Sequence, residues 1–147
     1  MKNNIICGFA GIGKSYLAKH EAGYIDLEST PFKKNWDLYI DVAEHMQSQG
    51  YKVMMSCHKE LRDKLKERNV DYIVVIPTVD YKDNYIQRYK DRGSTREFIE
   101  LFEDKFEEFI REILDNEHDV YLLGKEYETL SDIIDLLNKL PITPKGK

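Results

Sequence analysis

The segment Tyr72-Ile73-Val74-Val75-Ile76 is continuously apolar and largely β-branched, and Pro77 closes it. A run of this kind suits a strand covered on both faces, not a strand with one wet side. Such a strand needs a layer above it and a layer below. The rest of the chain offers them by alternation. Ile5-Ile6-Cys7, Tyr24-Ile25-Asp26-Leu27, Tyr51 to Met55 and Val120-Tyr121-Leu122-Leu123 read as further strands. Between them lie amphipathic stretches. Lys14 to about Ala22 reads as a helix stopped by Gly23. A second opens on Asn35 as N-cap, with Asp37 in its first turn, and exits at Gly50. Trp36, Tyr39, Ile40, Ala43 and Met46 share its inner face. Lys59 to Arg68 reads as a short helix with Leu61 and Leu65 inward.

Asp80 to Asp91 has a polar, aromatic helical pattern that Gly93 breaks. Thr95 to Leu114 follows, with Phe98, Phe102, Phe106, Phe109 and Ile113 inward and a solvated acidic face of Glu97, Glu100, Glu103, Asp104, Glu107 and Glu108. Thr129 and Asp132 resemble a capping box opening a last helix, with Leu130, Ile133, Ile134, Leu137 and Leu140 packing down before Pro141. Strand and helix in alternation predict an α/β fold: one parallel sheet of five strands with helices on both faces.

A length of 147 residues suits a single domain, taken as 1–140 with a frayed tail over 141–147. The balance of 22 basic against 27 acidic residues gives a net charge of −5, which argues against charge-driven binding to nucleic acid. No run approaches the roughly 20 apolar residues that span a bilayer, and the N-terminal run is too short for a secretory leader. Cys7 and Cys57 each sit in an apolar run and read as buried thiols of a reducing cytosol, too few for a metal site. A cytoplasmic location and no membrane partner follow as expectations.

Gly8-Phe9-Ala10-Gly11-Ile12-Gly13-Lys14-Ser15 fits G-x-x-x-x-G-K-[ST] at every fixed position, after a predicted strand and before a predicted helix. Glycines at those places let the chain wrap so that several N–H groups face one anion, and the helix start adds partial positive charge. Lys14 then reaches the β- and γ-phosphates and the Ser15 hydroxyl can ligate Mg²⁺. The motif predicts binding of a nucleoside triphosphate.

With this loop, the run Asp26-Leu27-Glu28-Ser29 and the segment Arg88-Tyr-Lys-Asp-Arg92-Gly93, the chain resembles the nucleoside monophosphate kinase group, which includes shikimate and gluconate kinases. Within that group it is most similar to compact nucleotide kinase-like proteins encoded by bacteriophages. The resemblance runs from Ile5 to Leu140. It implies a P-loop NTPase three-layer sandwich with strand order 2-3-1-4-5 and a short lid over about 80–95. It also implies ATP as donor, with Mg²⁺, held by Gly8, Ala10, Gly11, Ile12, Gly13, Lys14, Ser15 and Tyr16. In such kinases the first lid arginine, here Arg88, covers the adenine, and the second, Arg92, contacts the transferring phosphates. Arg96 is a further candidate. The loop Gly124-Lys125-Glu126 would pass the adenine. Lys14, Asp26, Arg88 and Arg92 would carry catalysis, and Ser15 and Asp26 would hold the metal.

The acceptor is expected between the second strand, the second helix and His58, with Asp26, Glu28, Ser29, Lys34, Trp36, His58, Arg62 and Arg92 in reach. Asp26 lies at a strand's carboxyl end, where ligands gather in such sheets; it serves metal or acceptor, or caps a turn. Trp36 stacks on a base or belongs to the core with Tyr39. His58 bonds the acceptor or caps the next helix. Neither Ser56 nor Pro77 supplies the acid that many P-loop enzymes carry at the end of an apolar strand. The expected acceptor is a small molecule, a (deoxy)nucleoside monophosphate first and a hydroxylated metabolite second. A nucleotide-binding protein without transfer is the third reading. Monomer and homodimer stay open.

Overall fold

The computed structural model describes residues 5–125 and 127–139. Five parallel strands form its sheet: β1 (Ile5–Gly8), β2 (Tyr24–Asp26), β3 (Lys52–Met55), β4 (Ile73–Pro77) and β5 (Val120–Leu123). Their order is β2-β3-β1-β4-β5, the one implied by the resemblance. Six α-helices join them: α1 (Lys14–His20), α2 (Trp36–Ser48), α3 (Lys59–Glu67), α4 (Lys82–Asp91), α5 (Arg96–Asn116) and α6 (Ile134–Asn138).

The central strands are dry because both faces are covered. Every residue of β1 and β4 is buried. Register is fixed by the pairs Cys7 with Met55 and Cys7 with Val74, which set β1 between β3 and β4. The outer strands are wetter, and Leu122 of β5 is exposed. The chain moves one way along the sheet from β1 to β2 and the other way thereafter, so right-handed crossovers send α1 to one face and α2, α3 and α5 to the other. Tyr24 of β2 donates to Asn138 of α6 (2.8 Å), which places α6 on the α1 side.

Helix ends follow local chemistry. The Asn35 side chain accepts from Leu38 N–H, and that of Thr95 accepts from Phe98 N–H. The Thr129–Asp132 capping box is present, but it opens a 3-10 turn (Leu130–Ile133) before α6, so the last helix is shorter than expected. Leu140, Pro141, the 141–147 tail and the first four residues lie outside the described residues. Helix α5 continues past Leu114 to Asn116, and its acidic outer face is exposed throughout. Among the described residues, no helix is long and apolar enough to cross a membrane.

The 80–95 stretch expected as a lid is a short 3-10 turn followed by α4, and α4 is half core. Tyr85, Ile86 and Tyr89 are buried, and their rings interlock with Phe9, Phe98, Phe102 and Phe106. Burying side chains of this size stabilises by roughly 1.5–3 kcal/mol each. Only the outer face of α4 and the link at Arg92–Thr95 remain to act as a cover.

Candidate functional site

Beyond β1 the chain turns through Gly8–Gly13 and enters α1. Gly11 and Gly13 take φ of 90° and 99°, the left-handed region where a side chain is strained. At Gly11 space is also closed: a Cβ there would lie 2.9 Å from Tyr89 Cε1.

Every carbonyl of this turn meets a donor. Lys14 Nζ donates to Gly8 O (2.8 Å), and Ile12 N–H donates to Phe9 O (3.3 Å). The Tyr89 hydroxyl donates to Ala10 O (2.7 Å) and Arg88 Nη1 to Gly11 O (2.8 Å). Leu130 N–H donates to Ile12 O (2.9 Å) and Leu17 N–H to Gly13 O (3.0 Å). A trans peptide sets C=O and N–H on opposite sides of one plane. Holding the carbonyls outward therefore turns amides the other way. The N–H groups of Ala10, Gly11, Gly13, Lys14 and Ser15 have no hydrogen-bond partner among the described residues. Consecutive unpaired amides of this kind form an anion-binding concavity.

Burial pushes the Lys14 ammonium below its ordinary pKa, with Asp26 and Cys57 pulling it back up. Its hydrogen bonds are to carbonyl dipoles, and the carboxylate whose charge acts most on it is Asp26. Ser15 is exposed at the start of α1. The Tyr16 ring is 58% exposed and stacks on His20 (4.0 Å between centroids), so its side chain turns to α1 itself.

The carboxyl ends of β2 and β3 form the second half of the site. Asp26, the last residue of β2, is half-buried and has no hydrogen-bond partner among the described residues. Burial pushes its carboxyl up; Lys14 opposes this and Glu28 reinforces it. Asp26 therefore caps nothing. His58 occupies the N-cap position of α3, but its side chain does not cap the helix. Its Nδ1 lies 2.8 Å from Ser56 Oγ, and its ring is 5.3 Å from that of Trp36. Burial and then Lys33 hold its pKa below the usual value, so the ring is neutral at pH 7. Tyr39 is core: fully buried, it donates to Leu27 O (2.6 Å) and accepts from Ser56 N–H (3.1 Å). Trp36 is half-buried against it (5.8 Å). Ser29 is half-buried, whereas Glu28 and Lys34 are exposed at the rim.

Arg62 is the clear correction. It is 1% exposed. Its guanidinium donates to Glu117 (2.7 Å), to Glu112 and to Cys57 O (3.0 Å). A guanidinium so committed cannot hold an acceptor phosphate. The expectation failed because both acidic partners lie on α5 and the segment after it, far along the chain. Arg68 is similarly engaged, with Asp37, Asp41 and Glu44. Cys57 is half-buried and not fully buried as expected, and burial pushes its thiol up to about 11. Cys7 is buried, and both cysteines are free.

The arginines of the lid divide. Arg88 is docked on Gly11 O and on Glu128 O (3.2 Å), with its guanidinium 4.3 Å above the Tyr85 ring. Arg92 is exposed, held by Ser94 Oγ (3.0 Å) and lying over Tyr89 and Phe98. Its charge reaches Lys14, whose pKa it lowers. Arg96 is 87% exposed and pairs with Glu100 on its own helix. After β5, Gly124 N–H donates to Tyr127 O (2.8 Å) and Lys125 is exposed; Glu126 lies outside the described residues. The glycine loop is met by Leu130, and by Glu128 only through Arg88. Sequence reading missed these two as well as Tyr85 and Tyr89. The spacing of Tyr85 and Tyr89, four apart beside Arg88 and Arg92, was the available signal.

Among the described residues, no group of three or more His, Cys, Asp or Glu side chains could hold a metal. The exposed Ser15 hydroxyl and the unpartnered Asp26 carboxylate are two oxygen donors. They fit a magnesium ion that keeps several waters and binds chiefly to substrate phosphates. Such an ion would neutralise charge on the triphosphate. No protein-family model matches this chain, and no curated protein matches it.

Proposed function

We propose that this chain is a kinase that transfers the terminal phosphoryl group of Mg·ATP to a small acceptor at the carboxyl ends of β2 and β3. One observation carries the reading: the carbonyls from Gly8 to Gly13 are all bonded, while the amides of Ala10, Gly11, Gly13, Lys14 and Ser15 are left without partners. A loop that organises unpaired donors around a desolvated ammonium stabilises a polyphosphate and little else. The fold, with Asp26 at the carboxyl end of β2, one strand removed from β1, and the Arg92 charge felt at Lys14, supports transfer over storage. Positioning and charge neutralisation are what phosphoryl transfer needs from a protein.

The resemblance puts a nucleoside monophosphate first as acceptor. In that reaction an acceptor phosphate oxygen attacks the γ-phosphorus, the bond to the β–γ bridging oxygen breaks, and ADP leaves. The neutral His58 and the Trp36 ring offer a polar contact and a stacking face for a base. A specific observation favours the hydroxylated acceptor as second reading. Arg62 and Arg68 are both committed to acids, whereas Asp26 is unpartnered and can take the proton that an attacking hydroxyl must lose.

Purified protein incubated with Mg·ATP and a panel of nucleoside monophosphates, nucleosides and sugars, read by ADP release and phosphorus NMR of the product, tests the proposal. A phosphoanhydride formed with one monophosphate supports the first acceptor, and a phosphate ester the second. ATP binding with no ADP for any acceptor overturns the kinase reading and leaves a nucleotide-binding protein.

A further inference from the structure

The loop that faces the phosphates does not hold its own shape. Its internal bonds, Ile12 N–H to Phe9 O and Lys14 to Gly8 O, leave the peptide between Ala10 and Gly11 without an internal partner. The middle peptides are fixed from outside. Ala10 O is held by the Tyr89 hydroxyl (2.7 Å) and Gly11 O by Arg88 (2.8 Å), both from α4. The peptide plane that carries Ala10 O also carries Gly11 N–H. A donor on that oxygen therefore sets the direction of that amide. Glycine at position 11, at φ 90°, cannot resist a peptide flip by sterics of its own, so an external constraint is needed.

We propose that Tyr89 is a positioning residue of the phosphate site: its hydroxyl, bonded to Ala10 O, orients the Gly11 amide toward the polyphosphate. The inference rests on the kinase reading and deepens it. The geometry around Tyr89 suits this role. Its ring is fully buried and braced by Phe98 (5.1 Å) and Phe102 (5.0 Å) from α5, so the hydroxyl is aimed by packing. The face of the ring edge toward the loop is closed by Gly11, which admits no Cβ. Burial pushes the phenol well above its ordinary pKa, so it stays a donor across the physiological range. Neighbouring Arg88 holds the next carbonyl, Gly11 O, whose peptide returns its own Ile12 N–H to Phe9 O, and its second bond, to Glu128 O, ties the same loop to the segment after β5. Helix α4 is therefore part of the phosphate cradle as well as its cover, and a tilt of α4 would change how the loop grips its ligand.

Calorimetric titration of the full chain with inorganic tripolyphosphate and magnesium tests this, comparing the wild type with Tyr89→Phe, which keeps the buried ring. The expected result is a loss of affinity of about five- to tenfold, the worth of one orienting hydrogen bond. The Gly11 amide resonance should move in the nitrogen–proton NMR spectrum while those of β4 stay in place, a signature that a packing role would not give. Wild type that binds tripolyphosphate and Tyr89→Phe that binds it equally, with an unmoved Gly11 resonance, overturns the positioning role alone. Wild type that fails to bind overturns the kinase reading first. Should Tyr89→Phe not fold, the wild-type titration followed by the same NMR spectrum decides: a Gly11 amide resonance that shifts as tripolyphosphate binds supports the role, and one that stays in place while the ligand binds overturns it.

Discussion

The two ends of the sheet treat charge in opposite ways. At the amino ends of β4 and β5, Glu117 accepts from Arg62 (2.7 Å), Lys66 (2.7 Å) and Tyr72, and Glu112 completes the group. The Arg62 and Glu117 side chains are only 2% and 3% exposed. At the carboxyl ends, the Asp26 carboxylate has no hydrogen-bond partner among the described residues and feels Lys14 only through its charge, Lys14 donates only to carbonyls, and five loop amides have no partner among the described residues. Polar groups that satisfy one another hold α3 and α5 together. Groups left without a protein partner are free to bind a ligand. The open cavity of about 630 Å³ beside Glu117 illustrates the point. It is larger than many ligand sites, yet the acid at its wall is already bonded.

If this contrast is right, Lys14→Ala should have the largest effect on function and little on folding. Transfer should fall by at least about 100-fold, the scale seen for removing one preorganised donor to developing charge, while circular dichroism and the melting temperature stay near wild type. Unfolding of the variant would break the comparison, because it would make Lys14 a structural group.

Glu117→Ala should do the reverse. Leaving the buried Arg62 guanidinium short of one of its two carboxylate partners should lower stability by about 3 kcal/mol in urea denaturation. Any variant that folds should bind tripolyphosphate as wild type does. The same carboxylate predicts a pH dependence. Burial pushes the Glu117 carboxyl up, but hydrogen bonds from Lys66, Tyr72 and Arg62 outweigh it and hold its pKa below the ordinary value. A depressed acid gives stability that is present above its unfolded pKa, about 4.3, and lost as pH falls through the lower folded value. Wild type should therefore lose stability on acidification below about pH 4.3, and Glu117→Gln should lose less over that window.

Arg92→Ala sharpens the contrast at the carboxyl end. This exposed guanidinium is held by weak local contacts, so its removal should reduce kcat about tenfold or more with little change in KM for ATP and none in stability. Equal kcat would remove Arg92 from the site.

Asp26→Asn should have the smallest thermodynamic effect and the most telling sign. A raised acid stabilises below its unfolded pKa and loses that contribution as pH rises through the folded value. Neutralising it should raise the melting temperature of the ligand-free protein at pH 7, by the equivalent of up to about 1 kcal/mol, while slowing transfer to a hydroxyl. A fall in melting temperature would show that Asp26 already has a partner that satisfies it.

What was legible in the sequence was local. The apolar run at Tyr72–Ile76 and the alternation of elements predicted a parallel sheet covered on both faces, and Asn35, Thr95 and the Thr129–Asp132 pair marked helix starts by side chains a turn away from their targets. The G-x-x-x-x-G-K-[ST] run predicted a turn around which the chain wraps, in which Gly11 and Gly13 prove to be left-handed, and the sheet order came from the resemblance. What stayed hidden needed contacts across the fold. Arg62 reads in sequence like any surface arginine of a short charged helix, and nothing near it announces Glu112 or Glu117. His58 reads as an N-cap by position, but Ser56 and Trp36 draw its ring elsewhere. Tyr89 lies in a stretch that reads only as polar, aromatic and helical; the fold alone buries its ring and places Ala10 O against its hydroxyl.

The bond from Leu130 N–H to Ile12 O joins two points at far ends of the chain order. A polypeptide synthesised as far as Leu123 would own every strand of the sheet and the full glycine motif, yet one loop carbonyl would still lack its donor. If the chain binds a nucleotide as proposed, competence to do so arrives late in biosynthesis, with the turn that follows β5, and a product ending before it would lack the ligand's protection against unfolding and proteolysis.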